Sequence, residues 1–191
     1  MYIESINPMS FDSGPGIRVE VIFNKENGLS LSVNELIDRI RKFRPYFGPN
    51  GGGVTFKGDI FNDTTYLCDV CKLCNKAGIN ICFETNALDY NNDLNIFKYL
   101  ELVILSIESL PLLNYNNISV DELMNVDKFI SDCELNNINI IVKQEILVNI
   151  NDNIKYIELL KKYLNKFNNI IDVRLYSDNN MDELNRCLNE V

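Results

Sequence analysis

Short β-rich runs alternate with amphipathic helical segments along this chain, and that alternation restricts the fold more than any other feature of the sequence. Ile17–Phe23 reads as a strand. Ser32–Arg44 follows as a helix with Leu36, Ile37, Ile40 and Phe43 on one face, and Ser32 and Glu35 have capping-box spacing at its start. Gly53–Phe56 is a short strand, Thr64–Ala77 a helix stopped by Gly78, and Ile79–Phe83 a strand. Leu94–Leu100 reads as a short helix and Leu102–Ile107 as a fully apolar strand. Ser119–Cys133 is a helix opened by a second capping box, Ser119 with Glu122. Ile138–Ile146, Ile154–Phe167 and Ile170–Tyr176 read as strand, helix and strand, and Met181–Asn189 as a last short helix. Six such units in series imply parallel pairing through right-handed crossovers. The expectation is an α/β fold with a mostly parallel sheet, in one domain spanning residues 1–191. Periodicity does not choose between an open sheet and a partial barrel.

Charge narrows the function classes. The net charge is -9, with a pI near 4.6. A nucleic-acid groove or an anionic membrane rewards clustered Lys and Arg, so neither is expected as a partner. Met1–Ser10 has no basic segment followed by a long apolar run, which makes the cytoplasm the expected location. The chain has no His, which removes the commonest general base and zinc ligand. Its six Cys, at 68, 71, 74, 82, 133 and 187, read as thiols or metal ligands rather than a disulfide framework.

Three groups of residues are candidates for chemistry. Cys68, Cys71 and Cys74 form a CxxCxxC run inside the second helix. With Leu67 and Gly78, Cys71 and Cys74 lie on a core stripe, and three Cys spaced by three span roughly 120° of helix, which converges poorly on one metal. Packing is the expected role, and a metal site at these three the alternative. Gly14-Pro-Gly16 and Gly51–Gly53 could cradle a phosphate through backbone N–H groups, but they match neither a P-loop nor a dinucleotide fingerprint and read as backbone turns and close strand approach. Lys57, Asp59, Glu84 and Glu108 fall at strand ends, where barrel sites form. A carboxylate pair with a Lys suits cation binding or acid-base work, and solvation of the surface accounts for the same residues.

Phe11-Asp-Ser-Gly-Pro-Gly-Ile-Arg18, Gly51-Gly-Gly-Val-Thr-Phe56 and Ala77-Gly-Ile-Asn-Ile-Cys-Phe-Glu-Thr-Asn86, in this order and spacing, resemble the radical-SAM activating enzymes of pyruvate formate-lyase and other glycyl radical enzymes. The resemblance runs over roughly Ile3–Asp178. It implies a radical-SAM-like partial (β/α)6 barrel with its site at the C-terminal strand ends, a [4Fe-4S] cluster and S-adenosylmethionine as cofactors, and a glycyl radical enzyme as partner. The departures sit at each of those stations. The family's CxxxCxxC loop corresponds to Asn24–Leu31, which has no Cys. Its GGEP becomes Lys57-Gly58-Asp59-Ile60, its DTNG becomes Glu84-Thr85-Asn86-Ala87, and its Asp-Leu-Lys becomes Ser106-Ile107-Glu108. The late LLPYH-type segment becomes Leu175–Asp178. Thiolates are the soft ligands such iron needs. The expectation is therefore a degenerate, non-catalytic homologue that acts by binding a glycyl radical enzyme or its loop. No catalytic residue, no metal and no cofactor are expected, and Lys57, Gly58, Asp59, Glu84, Thr85, Asn86, Ser106 and Glu108 are the vestigial cofactor-binding positions. The alternative is an active activase with its cluster displaced to Cys68, Cys71 and Cys74.

Overall fold

A computed structural model describes residues 1–48, 51–92, 94–108, 110 and 117–177. Seven strands follow one another across the sheet in chain order: β1 (Tyr2–Ser10), β2 (Arg18–Asn24), β3 (Gly53–Gly58), β4 (Asn80–Thr85), β5 (Leu102–Ser106), β6 (Asn139–Glu145) and β7 (Ile170–Tyr176). Among the described residues four α-helices intervene: α1 (Val33–Arg41), α2 (Thr64–Lys76), α3 (Val120–Leu135) and α4 (Ile154–Leu164). Both expected capping boxes form, with Ser32 accepting from Glu35 N and Ser119 from Glu122 N. Leu94–Tyr99 is a 3-10 turn rather than an α-helix. Met181–Asn189, Cys187 and Asp178 lie outside the described residues.

The chain divides into two compact units, Met1–Thr85 with Asp89–Ile104, and Asn86–Leu88 with the chain from Leu105 onward. In the first, β2–β3 and β3–β4 pair in parallel, as expected when helices cover the strands. Val19, Val21 and Phe23 of β2, and Val54 and Phe56 of β3, are buried, together with Leu36, Ile37 and Ile40 of α1 and Leu67, Val70, Cys71 and Cys74 of α2. Phe23 stacks on Phe56 with centroids 5.6 Å apart, and Phe56 meets Phe83 edge-on at 6.1 Å. In the second unit, β6 and β7 pair in parallel. There Tyr156 Oη donates to Gln144 Oε1 at 2.8 Å, and Asn151 ties down the loop after β6 by accepting from Leu147 N and donating to Glu145 O.

The expected α/β class with a mostly parallel sheet is what the chain forms. The sequence reading began one strand late. β1 runs antiparallel to β2, with register shifts between Ile3 and Ser5 and between Asn7 and Ser10. It buries only Ile3 fully and carries Pro8, so no clean alternation marks it, as is tolerated on an edge strand.

Candidate functional site

Alternation along β2 places Arg18 and Glu20 on the opposite face from Val19 and Val21. In register, Glu20 faces Thr55, and Thr55 faces Cys82. Three charged side chains from neighbouring strands meet on this face. Lys57 Nζ lies 2.7 Å from Glu20 Oε1 and 2.9 Å from Glu84 Oε2. The three side chains are 20%, 16% and 18% exposed, so the cluster is largely withdrawn from water. Ser10 Oγ donates to Glu20 Oε1 at 2.9 Å, and Ser13 Oγ donates to the same oxygen. Burial alone pushes the Glu20 carboxyl up. The hydrogen bonds from Lys57, Ser13 and Ser10 outweigh it and hold the group at about 2. For Lys57 burial favours the neutral amine, and the two carboxylates reverse this and raise its pKa. The ammonium is thus fixed in its charged form.

Arg18 holds the loop above this cluster. It is 0% exposed. Its Nε donates to Thr55 Oγ1 at 2.8 Å, and Nη1 to the carbonyls of Pro15 and Gly51 at 3.1 and 2.8 Å. Nη2 donates to Val54 O at 2.9 Å and to Asn80 Oδ1 at 2.9 Å. Thr55 Oγ1 in turn donates to Ser13 O at 2.6 Å, which sets Ser13 over Glu20. One guanidinium therefore ties down both glycine segments, at Pro15 and at Gly51, while Gly53 already opens β3. Gly53 has a steric reason of its own: a Cβ there would stand 2.1 Å from Asn80 O.

The expected positions divide between the units. Lys57, Gly58, Asp59, Glu84 and Thr85 lie in the first unit, and Asn86, Ser106 and Glu108 in the second. Gly58 has φ +77°, and a Cβ on it would stand 2.2 Å from Phe23 O, so this position requires glycine. Asp59 does not join Lys57; its Oδ2 accepts from Lys25 N at 2.9 Å. Asn86 Oδ1 accepts from Leu88 N at 3.2 Å, and Ser106 ends β5 half-buried. Sequence reasoning missed Glu20, Ser10 and Ser13. Glu20 carried a signal, being the one acidic residue in a run otherwise read as buried on both faces.

The segment 24–31 is a closed loop folded onto β1. Ile3 N donates to Leu29 O at 2.9 Å and Leu29 N to Ile3 O at 2.8 Å. Asn24 Oδ1 accepts from Glu26 N and Asn27 N. On α2, Cys71 and Cys74 are fully buried and Cys68 is half-buried. Burial pushes the Cys71 thiol well up and the Cys74 thiol to about 12.

No family model matches the chain. Over 190 residues it is 29% identical to the pyruvate formate-lyase-activating enzyme of Clostridium pasteurianum, covering 91% of this chain and 80% of that protein. It is 28% identical over 137 residues to the (2S)-3-sulfopropanediol dehydratase activating enzyme of Klebsiella oxytoca, covering 69% of this chain and 42% of that protein. Among solved structures it resembles a domain of a pyruvate-formate lyase-activating enzyme from Bacteroides vulgatus, with a TM-score of 0.59 and 19% identity over 72% of this chain and 91% of that one. The likeness to glycyl radical enzyme activating enzymes is therefore shown at the level of sequence, and a fold shared with a domain of one such enzyme at the level of structure.

These relatives correct the expectation of no cofactor. They are activating enzymes, and the family the chain resembles works with a [4Fe-4S] cluster and S-adenosylmethionine. The described residues do not fit the cluster itself. The loop 24–31 supplies no thiol, the thiols of Cys71 and Cys74 face the core in their protonated form, and among the described residues no three Cys, Asp or Glu are grouped to hold a metal ion.

Proposed function

We propose that this chain acts by binding a glycyl radical enzyme, as a relative of the activating enzymes that does not itself generate the radical. One observation carries the reading: the loop where the family holds its cluster is closed onto β1 by paired backbone hydrogen bonds and contains no thiol. The position is thus filled by chain rather than by a ligand set. Lys57, Gly58, Asp59, Glu84 and Thr85 are the proposed ligand-facing residues of the first unit. Asn86, Ser106 and Glu108 are proposed on the resemblance alone. No helix among the described residues is long and apolar enough to cross a membrane. A cytoplasmic place in anaerobic metabolism, and one functional domain over residues 1–191, belong to the same proposal.

The test is made with purified chain and a glycyl radical enzyme under anaerobic conditions. After reconstitution with iron and sulfide, S-adenosylmethionine and a strong reductant are added. The expected result is a defined complex by calorimetry with no glycyl radical signal in the electron paramagnetic resonance spectrum. A glycyl radical formed by this chain alone overturns the non-catalytic reading, and absence of any complex overturns the binding reading.

A further inference from the structure

Three cations gather at one cleft in an otherwise acidic chain. Arg41 ends α1, Arg44 opens the 3-10 turn Arg44–Tyr46, and Lys76 ends α2; with Ala77 and Gly78 they line a cleft of about 710 Å³. α2 runs into the start of β4, so this cleft lies at the N-terminal end of that strand, whereas Lys57 and Glu84 lie toward the C-terminal ends of β3 and β4. Cations are ordinary at helix C-termini, where they meet unpaired carbonyls. Here backbone amides take three of those carbonyls at α2 and one at α1. Ala77 N donates to Leu73 O and Cys74 O, Gly78 N to Asn75 O, Ile79 N to Cys74 O, and Phe43 N to Ile40 O. Among the described residues no ion pair engages Arg44 or Lys76, and Arg41 meets only Asp38, at 3.8 Å on an exposed helix face. Arg44 Nη2 lies 3.7 Å from where a Cβ on Gly78 would stand, so the guanidinium rests beside bare backbone at the cleft.

The charges set the ligand. Three cations less the Asp38 carboxylate leave the cleft with a net charge of +2, which matches a doubly charged phosphate group better than a single carboxylate. Its volume exceeds that of one phosphate and falls in the range of small-molecule sites, roughly 300–1,000 Å³. We propose that the cleft lined by Arg41, Arg44 and Lys76 binds a phosphate-bearing small molecule. The protein's overall negative charge opposes any anion at long range, so binding depends on these three side chains and is salt-sensitive.

Inorganic pyrophosphate, titrated into the full chain by calorimetry at low salt, is the probe. Binding is expected to weaken about tenfold for each of Arg44→Ala and Lys76→Ala. Lys72→Ala, on an exposed α2 position that does not line the cleft, is expected to leave it unchanged. Thermal midpoints equal to that of the parent confirm that all three variants fold. Amide shifts confined to Ala77, Gly78 and their neighbours support the site. Equal affinity in the Arg44 and Lys76 variants, or an equal loss in Lys72→Ala, means an adventitious ion only and overturns the proposal. Equal affinity for citrate overturns the phosphate class. Co-sedimentation with phosphatidic acid vesicles that Arg44→Ala abolishes keeps the phosphate chemistry but overturns the free-ligand source.

Discussion

Lys57 is held between two carboxylates that would otherwise face each other with little water between them. Lys57→Met leaves Glu20 and Glu84 without their cation, and the expected cost at pH 7 is about 2 kcal/mol, measured by urea denaturation. The sign of the pH dependence follows from Glu20. Its folded value of about 2 lies below the ordinary 4.5, so its stabilisation is present above pH 4.5 and is lost as pH falls toward 2. Lys57 is shifted upward, so its share is present below its ordinary 10.5 and is lost only as pH rises beyond that. The gap between parent and Lys57→Met should therefore hold from pH 5 to 9 and close below pH 3. A gap that stays constant down to pH 2 would show that the ion pair is not its source. Arg18 is a different case, since its guanidinium holds backbone as well as side chains. Arg18→Lys cannot reproduce a planar fork that reaches both turns, and a loss of about 3 kcal/mol is expected in the same assay.

At the scale of elements, α2 shows how far periodicity alone can decide a function. Cys68, Cys71 and Cys74 have ligand-like spacing, but helical geometry turns Cys71 and Cys74 inward beside Leu67 and Val70, and the burial pattern follows that stripe. In native protein, maleimide labelling followed by mass mapping should find Cys68 modified first among the five described cysteines, with Cys71 and Cys74 reacting only on unfolding. The helices, their caps and the parallel strands were legible because each carries its own local signal: Ser32 with Glu35, Ser119 with Glu122, and the apolar run of β5. β1 was not legible, because an edge strand with one buried residue has almost no pattern to read. The site was legible in part. Lys57 and Glu84 stood out as charges near strand ends, but the second carboxylate that holds the lysine charged, Glu20, is 37 residues away in sequence and joins only through β2–β3 register. The closed loop 24–31 depends on another contact that sequence does not announce. Gly28 has φ +137°, and a Cβ on it would stand 2.6 Å from Ile3 O. Gly28→Ala should loosen β1 from the loop, visible as faster hydrogen exchange at Ile3 and Leu29 before any change in β3 or β4.

For the whole molecule, charge and fold respond to pH over different ranges. The chain carries 27 acidic against 18 basic residues, and its sequence pI places zero net charge near pH 4.6. Self-repulsion from the net charge of -9 at pH 7 is then gone. Glu20 is still ionised there and paired with Lys57, because its hydrogen bonds hold it at about 2. Loss of solubility and loss of fold should therefore separate. Near pH 4.6 the protein should precipitate and redissolve on return to pH 7 with its far-ultraviolet circular dichroism and urea midpoint unchanged. Unfolding should begin only below about pH 3, and earlier in Lys57→Met than in the parent. Turbidity and circular dichroism recorded on the same samples across pH 2–7 test this directly. Precipitation accompanied by loss of secondary structure at pH 4.6 would mean that the surface carboxylates, not the buried cluster, set the acid limit of the fold.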